Sequence, residues 1–360
     1  METPSKRSEQ VTDQSLERRP TLLDVARLAQ VSAATASRAL NNPEMVSEEA
    51  RRSVLQAAER AGYQPNLMAR SLRKQQARAI VVLVPVMENP FYPEIIRGLE
   101  AAARDRNYSL LLGITVYDRS VESSYIDLVR NQRADGILLL DGVLEHTIEG
   151  GARFPVPSVQ VIERIKGVDL PWVGIDDRAA AAAGVQHLLD LGHRRIGHIS
   201  GWDRCTVTHD RLVGYRDALR GADIAFDPAL VETGEFIFAR GEEAAAKLMA
   251  LPEPPTAIFC ANDTSALGAL RYLRSRGLAV PGDVSIVGFD DIHLSDQADP
   301  PLTTLRQPRF DIGFAAMTLL IDLLTGAPGL AMQQTLPVEL VVRGSTAPLI
   351  GHGKRRNRQT

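Results

Sequence analysis

Two regimes of apolar spacing divide the chain. From Leu22 to Ala61 apolar residues recur every three or four positions, the period of helices. From Ala79 onward they gather into short blocks of Val, Leu and Ile separated by longer amphipathic runs. The first regime predicts three helices. Thr21 and Asp24 form a capping box ahead of an apolar stripe at Leu22, Val25, Ala26 and Ala29. Gln30-Val31-Ser32 breaks that helix, and Ser32 caps a second running from Ala33 to about Asn41, with Val31, Ala36 and Leu40 turned inward. The third begins at Ser47 and stops at Gly62, with Val54, Leu55, Ala58 and Ala61 on its inner face. Pro65 and Asn66 then end one element and cap another. Residues 66–72 allow only two helical turns, too few to be stable alone in water.

In the second regime the blocks at 79–86, 109–116, 135–142 and 157–162 read as strands buried on both faces. The rhythm returns at 194–201, 256–263 and 284–291. Amphipathic helices fall between, at 93–106, 120–132, 177–192, 211–221, 239–251 and 264–277. Alternating strands and helices imply doubly wound parallel sheets with right-handed crossovers. Two such series imply two lobes, with a ligand cleft at the carboxyl ends of the strands that closes by hinge motion. The expected fold is an all-α helix-turn-helix head and hinge helix joined to a two-lobed α/β core.

Charge sharpens this division. Between Arg18 and Arg78 there are eleven Lys and Arg against five Asp and Glu, on a chain whose net charge is −3. A basic head on an acidic body is the asymmetry expected when one end meets phosphates. Length (360 residues) allows two or three domains, and 44% hydrophobic residues supply ample core. No apolar run approaches membrane-spanning length, and the first twenty residues are polar with mixed charge, so no secretory signal or membrane partner is expected. Cys205 and Cys260 lie far apart without metal spacing and read as inert reduced thiols of a cytoplasmic protein. Residues 1–19 read as a disordered tail. The basic residues 349–360 read as a solubilising end, with non-specific DNA contact as the alternative.

Candidate chemistry falls in two places. On the second helix Ala33, Ala34, Thr35, Ser37 and Arg38 are small, short-polar or guanidinium-bearing, which suits close approach to base edges in a major groove; Arg38 fits a bidentate contact to guanine. In the linker, Arg70, Arg73, Lys74 and Arg78 surround Leu72, which fits a wedge between base steps of the minor groove, or else a satellite core residue. At the predicted strand ends stand Glu163, Arg164, Asn262, Asp263, Asp290 and Asp291, with Phe91 and Tyr92 after the first strand. Carboxylates, an amide, an arginine and aromatic faces suit hydroxyl-rich or heterocyclic ligands. Asp263 is expected to cap the following helix, Asp291 is ambiguous, and Asn262 and Asp290 are favoured for the ligand. No GxGxxG after a strand, no GxxxxGK, no nucleophile elbow and no paired metal-ligand histidines are present, so neither catalysis, cofactor nor metal is implied. His193 and His198 read as structural. A transport-type binding protein of the same two-lobed form would have no use for residues 21–78.

Together these residues resemble the LacI family of bacterial transcriptional repressors, from Thr21 to about Pro348. The run from Asp24 to Arg73 carries helix-turn-helix, third helix and hinge helix in register. The runs NPFYPEIIRGLE, LPEPPTAIFCAND and VPGDVSIVGFDDIHLSDQADPPLTTLRQPR are most similar to its cytidine-repressor branch. The resemblance implies a head over 20–64, a hinge helix and linker over 65–78, and a periplasmic-binding-protein-like core over 79–348. One lobe would take about 79–176 plus 308–336, the other about 177–307 plus 337–348. It further implies a homodimer gripping a pseudo-palindromic double-stranded operator, with Thr21, Ser32, Asn41, Asn66, Ala69, Arg70, Leu72 and Arg73 joining the recognition residues on DNA. Ala33 and Ala34 cannot hydrogen-bond, so readout would rest on Thr35, Ser37, Arg38 and DNA shape. By motif, the effector contacts fall on Phe91, Arg164, Arg211, Phe236, Asn262 and Asp290, beside Tyr92 and Glu163. Phe236 would be a stacking platform. The effector implied is a nucleoside, or a sugar.

Overall fold

The computed structural model describes residues 20–63, 76–116, 118–140, 156–165 and 167–349. The chain divides into two compact units, Met1–Gln75 and Gln76–Thr360. The expected hinge residues Asn66, Ala69, Arg70, Leu72 and Arg73, and both tails, lie outside the described residues.

Among the described residues the first unit has three helices: α1 (Leu22–Leu28), α2 (Ala33–Asn41) and α3 (Glu48–Ala61). Each starts on a side-chain cap. The Thr21 hydroxyl accepts from the Asp24 amide at 3.4 Å while the Thr21 amide donates back to Asp24 at 2.8 Å. Ser32 takes the Thr35 amide at 3.0 Å and Ser47 the Ala50 amide at 3.3 Å. Gly62, at φ +61°, closes α3 in the left-handed region that favours glycine. The core is made of small side chains, Val25, Ala26, Ala29, Ala36, Ala39, Val54, Ala57 and Ala58, which let short helices approach closely. One expected core residue is misplaced: Leu55 is 47% exposed and Ala57 is buried instead. One step along a helix turns a side chain by about 100°, which carries Leu55 off the face shared by Val54, Ala57 and Ala58.

Among its described residues the second unit forms two six-stranded sheets. In the first, β1 (Ala79–Val84) pairs in parallel with β2 (Ser109–Ile114) and β3 (Gly136–Leu139); β4 (Ser158–Val161), β5 (Trp172–Ile175) and β11 (Gln333–Leu336) follow, in the order β11-β5-β4-β3-β1-β2. In the second, β6 (Ile196–Ser200), β7 (Val231–Thr233), β8 (Ala257–Cys260), β9 (Ser285–Asp290), β10 (Thr303–Arg306) and β12 (Glu339–Val341) order as β12-β10-β9-β8-β6-β7, with only β12 antiparallel. Against the first sheet lie α4 (Tyr92–Asp105), α5 (Arg119–Arg130) and α11 (Arg309–Thr325). Against the second lie α6 (Asp177–Asp190), α7 (Thr206–Gly221), α8 (Phe238–Met249) and α9 (Asp263–Ser275), with the short α10 (Leu294–Gln297) nearby. The chain therefore passes between lobes three times, after Ile175, after Arg306 and after Leu336. Glycines permit the close contact of α4 on α11: a Cβ at Gly98 would overlap the Phe310 carbonyl, and one at Gly313 that of Ile95.

The block at 109–116 departs from its expected double burial. It forms the edge strand β2, with Leu111, Leu112 and Ile114 38%, 37% and 42% exposed. An apolar run reads alike whether its own chain covers it or another surface must. Among the described residues no helix is long and apolar enough to cross a membrane.

Candidate nucleic-acid interface and ligand cavity

On α2, Ala36 and Ala39 face the core, so Ser32, Ala33, Ala34 and Arg38 stand exposed while Thr35, Ser37 and Asn41 are half-buried. Thr35 shares its hydroxyl with Ser32 at 2.8 Å, and the Asn41 amide donates to the Ser37 carbonyl at 2.8 Å. The helix thus presents a flat small-residue face with one long cation. Thr21 is half-buried and its hydroxyl donates to Asp24 at 2.6 Å, holding the start of α1.

In the second unit a cavity of about 450 Å³ lies between the lobes, at the carboxyl ends of the strands. Phe91, Tyr92, Glu163, Arg211, Phe236, Asn262 and Asp290 all line it. Phe91 and Tyr92 meet edge to face, with centroids 5.4 Å apart. Phe236 sits at φ +61°, following Glu235 at +52°, a left-handed pair that costs an unbranched aromatic residue backbone strain. Two features hold it: Asn262 Nδ2 donates to the Phe236 carbonyl at 3.2 Å, and Gly201 leaves room for the ring.

Arg211 is buried and largely committed. Its Nε donates to Asp177 at 2.8 Å, Nη1 donates to the Ala261 carbonyl, Asp290 stands at 3.9 Å, and the guanidinium stacks 3.7 Å from the Phe289 ring centroid. Asp290, at φ +116°, accepts from Gln307 Nε2 at 2.8 Å, and burial raises its pKa despite Arg211. Burial also raises Glu163, to about 7, with Asp177 adding to the rise and Arg211 opposing it.

Two expectations need correction. Arg164 does not line the cavity: it is exposed, its guanidinium 3.8 Å from the Trp172 ring centroid, because the turn after β4 aims successive side chains in opposite directions. Asp263 is not the cap of α9. Asn262 is, accepting from the Ser265 amide at 2.9 Å, while the fully buried Asp263 takes the Ile292 amide and the hydroxyls of Ser295 and Thr304 at 2.9, 2.7 and 2.6 Å. A carboxylate can accept three donors at once and so ties three segments together, which the single-cap reading missed. Asp291 pairs with Arg306 and Arg343 at 2.6 and 2.7 Å.

Sequence reasoning missed Glu88, Trp202, Cys205, Glu235, Phe238 and Thr264, all lining the cavity. The Thr264 hydroxyl is buried with no partner among the described residues, a group available to a ligand. The only signal for these was their position just after strands or at helix starts. His198 is buried between Tyr215 and Phe259, its Nδ1 3.0 Å from the Phe259 carbonyl, and burial pushes it down to about 4. His193 is held by Thr256 and Ser285.

Comparison with known proteins bears on both sites. Residues 21–66 match the family described as "Bacterial regulatory proteins, lacI family", and residues 185–346 the "Periplasmic binding protein-like domain". The HTH-type transcriptional repressor CytR of Escherichia coli (strain K12) is 43% identical over 91% of this chain and 97% of its own length. Catabolite control protein A of Priestia megaterium is 37% identical over 83% and 91%. Among solved structures, the Lac repressor dimer bound to operator and the anti-inducer ONPF matches with a TM-score of 0.80, 28% identity, and coverage of 92% of this chain and 100% of that one. The regulator CelR in complex with cellobiose gives a TM-score of 0.68, 32% identity, and coverage of 91% and 100%.

Proposed function

From the premise that this chain belongs to the LacI family of bacterial transcription regulators, we propose that it represses transcription as a homodimer on a pseudo-palindromic operator, under control of a nucleoside in the interlobe cavity. It is a DNA-binding regulator, like its relatives, and not an enzyme. On α2, Arg38 reads guanine, Thr35 and Ser37 bond base edges or phosphates, and Ala33 and Ala34 permit close approach. Asn66, Ala69, Arg70, Leu72 and Arg73 contact the minor groove and backbone at the operator centre. The exposed apolar edge at Leu111, Leu112 and Ile114 supports self-association, as does the dimeric state of the operator-bound Lac repressor. A regulator acting on the chromosome works in the cytoplasm.

The observation that carries the effector reading is the Phe236 ring, fixed in a strained turn on the wall of an aromatic cavity. A fixed ring in an apolar pocket is a stacking platform for a flat heterocycle. Among the described residues the charged groups on the wall are the carboxyls of Glu88, Glu163, Glu235 and Asp290 and the guanidinium of Arg211, which disfavours an anionic ligand. The CelR–cellobiose complex supports a sugar as the second reading.

The test is a thermal-shift panel of nucleosides, their 5′-monophosphates and common sugars, followed by gel-shift titration on two-fold symmetric sites upstream of the gene and its neighbours. A nucleoside should raise the melting temperature and change the affinity for one such site. A sugar acting alone moves the assignment to the second reading. No salt-sensitive preference for any site would overturn the operator assignment.

A further inference from the structure

The turn that follows β4 is built against its own backbone preferences. Ile162 sits at φ +68°, where a β-branched side chain is a genuine outlier, and the Glu163 amide closes the turn by donating to the Val161 carbonyl at 2.9 Å. The indole N–H of Trp172 donates to the Ile162 carbonyl at 2.9 Å, and Arg164 stacks over the same indole. Strain of this kind persists only when its surroundings over-determine it, and it concentrates at clamps and switches.

The strained turn delivers the Glu163 carboxylate to the opposite lobe. There the N-cap residue of α7 is Cys205, outside the Ser, Thr, Asp and Asn that cap helices well. The oxygen at that helix end comes from Glu163: the Thr206 amide donates to Oε2 at 3.0 Å, and the Val207 amide also bonds the carboxylate. One residue on, the Thr206 hydroxyl donates to the Arg164 carbonyl at 2.7 Å. A carboxylate at a helix N-terminus satisfies orphan amides and meets the positive end of the dipole. Glu163 also lines the cavity.

We propose that Glu163 is the positioning residue of lobe closure: from one lobe it caps the first turn of α7 in the other, so that a ligand bonding its carboxylate competes with α7 and resets the angle between the lobes. The competition with ligand rests on the cavity being the effector site. The cap across the cleft does not. The charged groups facing the carboxylate are Asp177 at the start of α6 and Arg211 on α7. Burial disfavours its ionisation most, Asp177 adds to this and Arg211 opposes it, which together raise the carboxyl to about 7.

Hydrogen exchange on the full-length, ligand-free protein tests this, with small-angle scattering as the readout of closure. In Glu163→Ala the peptide beginning at Thr206 should exchange about tenfold faster, in line with the loss of a helix cap, while α9 is unchanged, and the radius of gyration should rise. Glu163→Gln keeps an acceptor and serves if the alanine variant does not fold; it should retain part of the protection and lose its dependence on pH between 6 and 8. Adding Cys205→Ser to Glu163→Ala gives α7 a cap within its own lobe. Protection should return, but closure should not. Wild-type protection at Thr206 in a folded alanine variant, or in the glutamine variant a pH dependence like that of the wild type, overturns the proposal. So does wild-type compactness in the double variant, because Glu163 would then be a helix cap with no hold on the lobes.

Discussion

Single side chains in this protein do their work through the partners that fix them. On the proposed reading Phe236 is a stacking platform, held by Asn262 and the space at Gly201 in a backbone conformation that costs about 1–3 kcal/mol. Phe236→Ala should therefore abolish the ligand-induced shift in melting temperature while ligand-free unfolding stays cooperative. An unchanged titration would move the ligand elsewhere. On the head, Arg38 is exposed on α2 and holds up none of the core. Arg38→Ala should leave the fold intact and weaken binding to the best symmetric site by about 1–3 kcal/mol, relaxing specificity there, measured by gel shift against mutated sites. Arg38 could be picked out in the sequence from type and position, Phe236 only through the family resemblance. What could not be picked out is that Arg164, equally suggestive, turns away to stack on Trp172, since a strained turn leaves no mark on residue order.

Elements were legible in proportion to how much of their pattern is local. The three helices of the head carry their own caps at Thr21, Ser32 and Ser47, so their starts follow from short-range chemistry. By contrast α11 buries a wide face, from Ile312 to Ile321, and its outward side mixes Asp311, Thr318 and Asp322 with the exposed Phe314, so its period is only weakly marked. Strands β7, β11 and β12 are short and mixed in exposure, and only pairing defines them. The α4–α11 contact depends on the absence of a methyl group at two places. Gly98→Ala should destabilise the second unit by about 1–3 kcal/mol through overpacking, although alanine favours a helix intrinsically. Chemical denaturation would show it, and a stabilised variant would mean the helices can slide apart freely.

At the scale of the molecule, the three passes of the chain and a few cross-lobe bonds tie the two lobes together. Arg309 at the head of α11 donates to the Asp291 carbonyl of the other lobe at 2.8 Å, and Glu163 reaches α7 at 3.0 Å. The same burial has a signature in pH. Glu163 has its folded pKa raised to about 7, against an ordinary value of 4.5. The native state thus binds its proton more tightly than the unfolded chain, and the stability this contributes is full below about pH 4.5 and lost as pH rises through 7. Glu163→Gln removes that loss. Its melting temperature relative to the parent should therefore climb between pH 5 and pH 8, and a constant difference would show the carboxyl ionises normally. His198 acts with the opposite sign, since a folded pKa near 4 makes it lose stability as pH falls from 6.5.

By itself, apart from Arg211 and Phe236, which the family resemblance supplied, the sequence determined the helical head, the alternation of strand and helix, the basic end on an acidic body, and the first candidates for both sites. These depend on period, capping and charge, which neighbouring residues decide among themselves. Only the tertiary structure decided that Asp263 binds Ile292, Ser295 and Thr304 instead of capping α9, that Arg211 is spent on Asp177 and Ala261, and that β2 is an open edge. It alone placed an oxygen from one lobe on the first turn of a helix in the other. Such partners are brought together from dozens of residues apart by the crossing of the chain, and no local pattern records which groups will meet there.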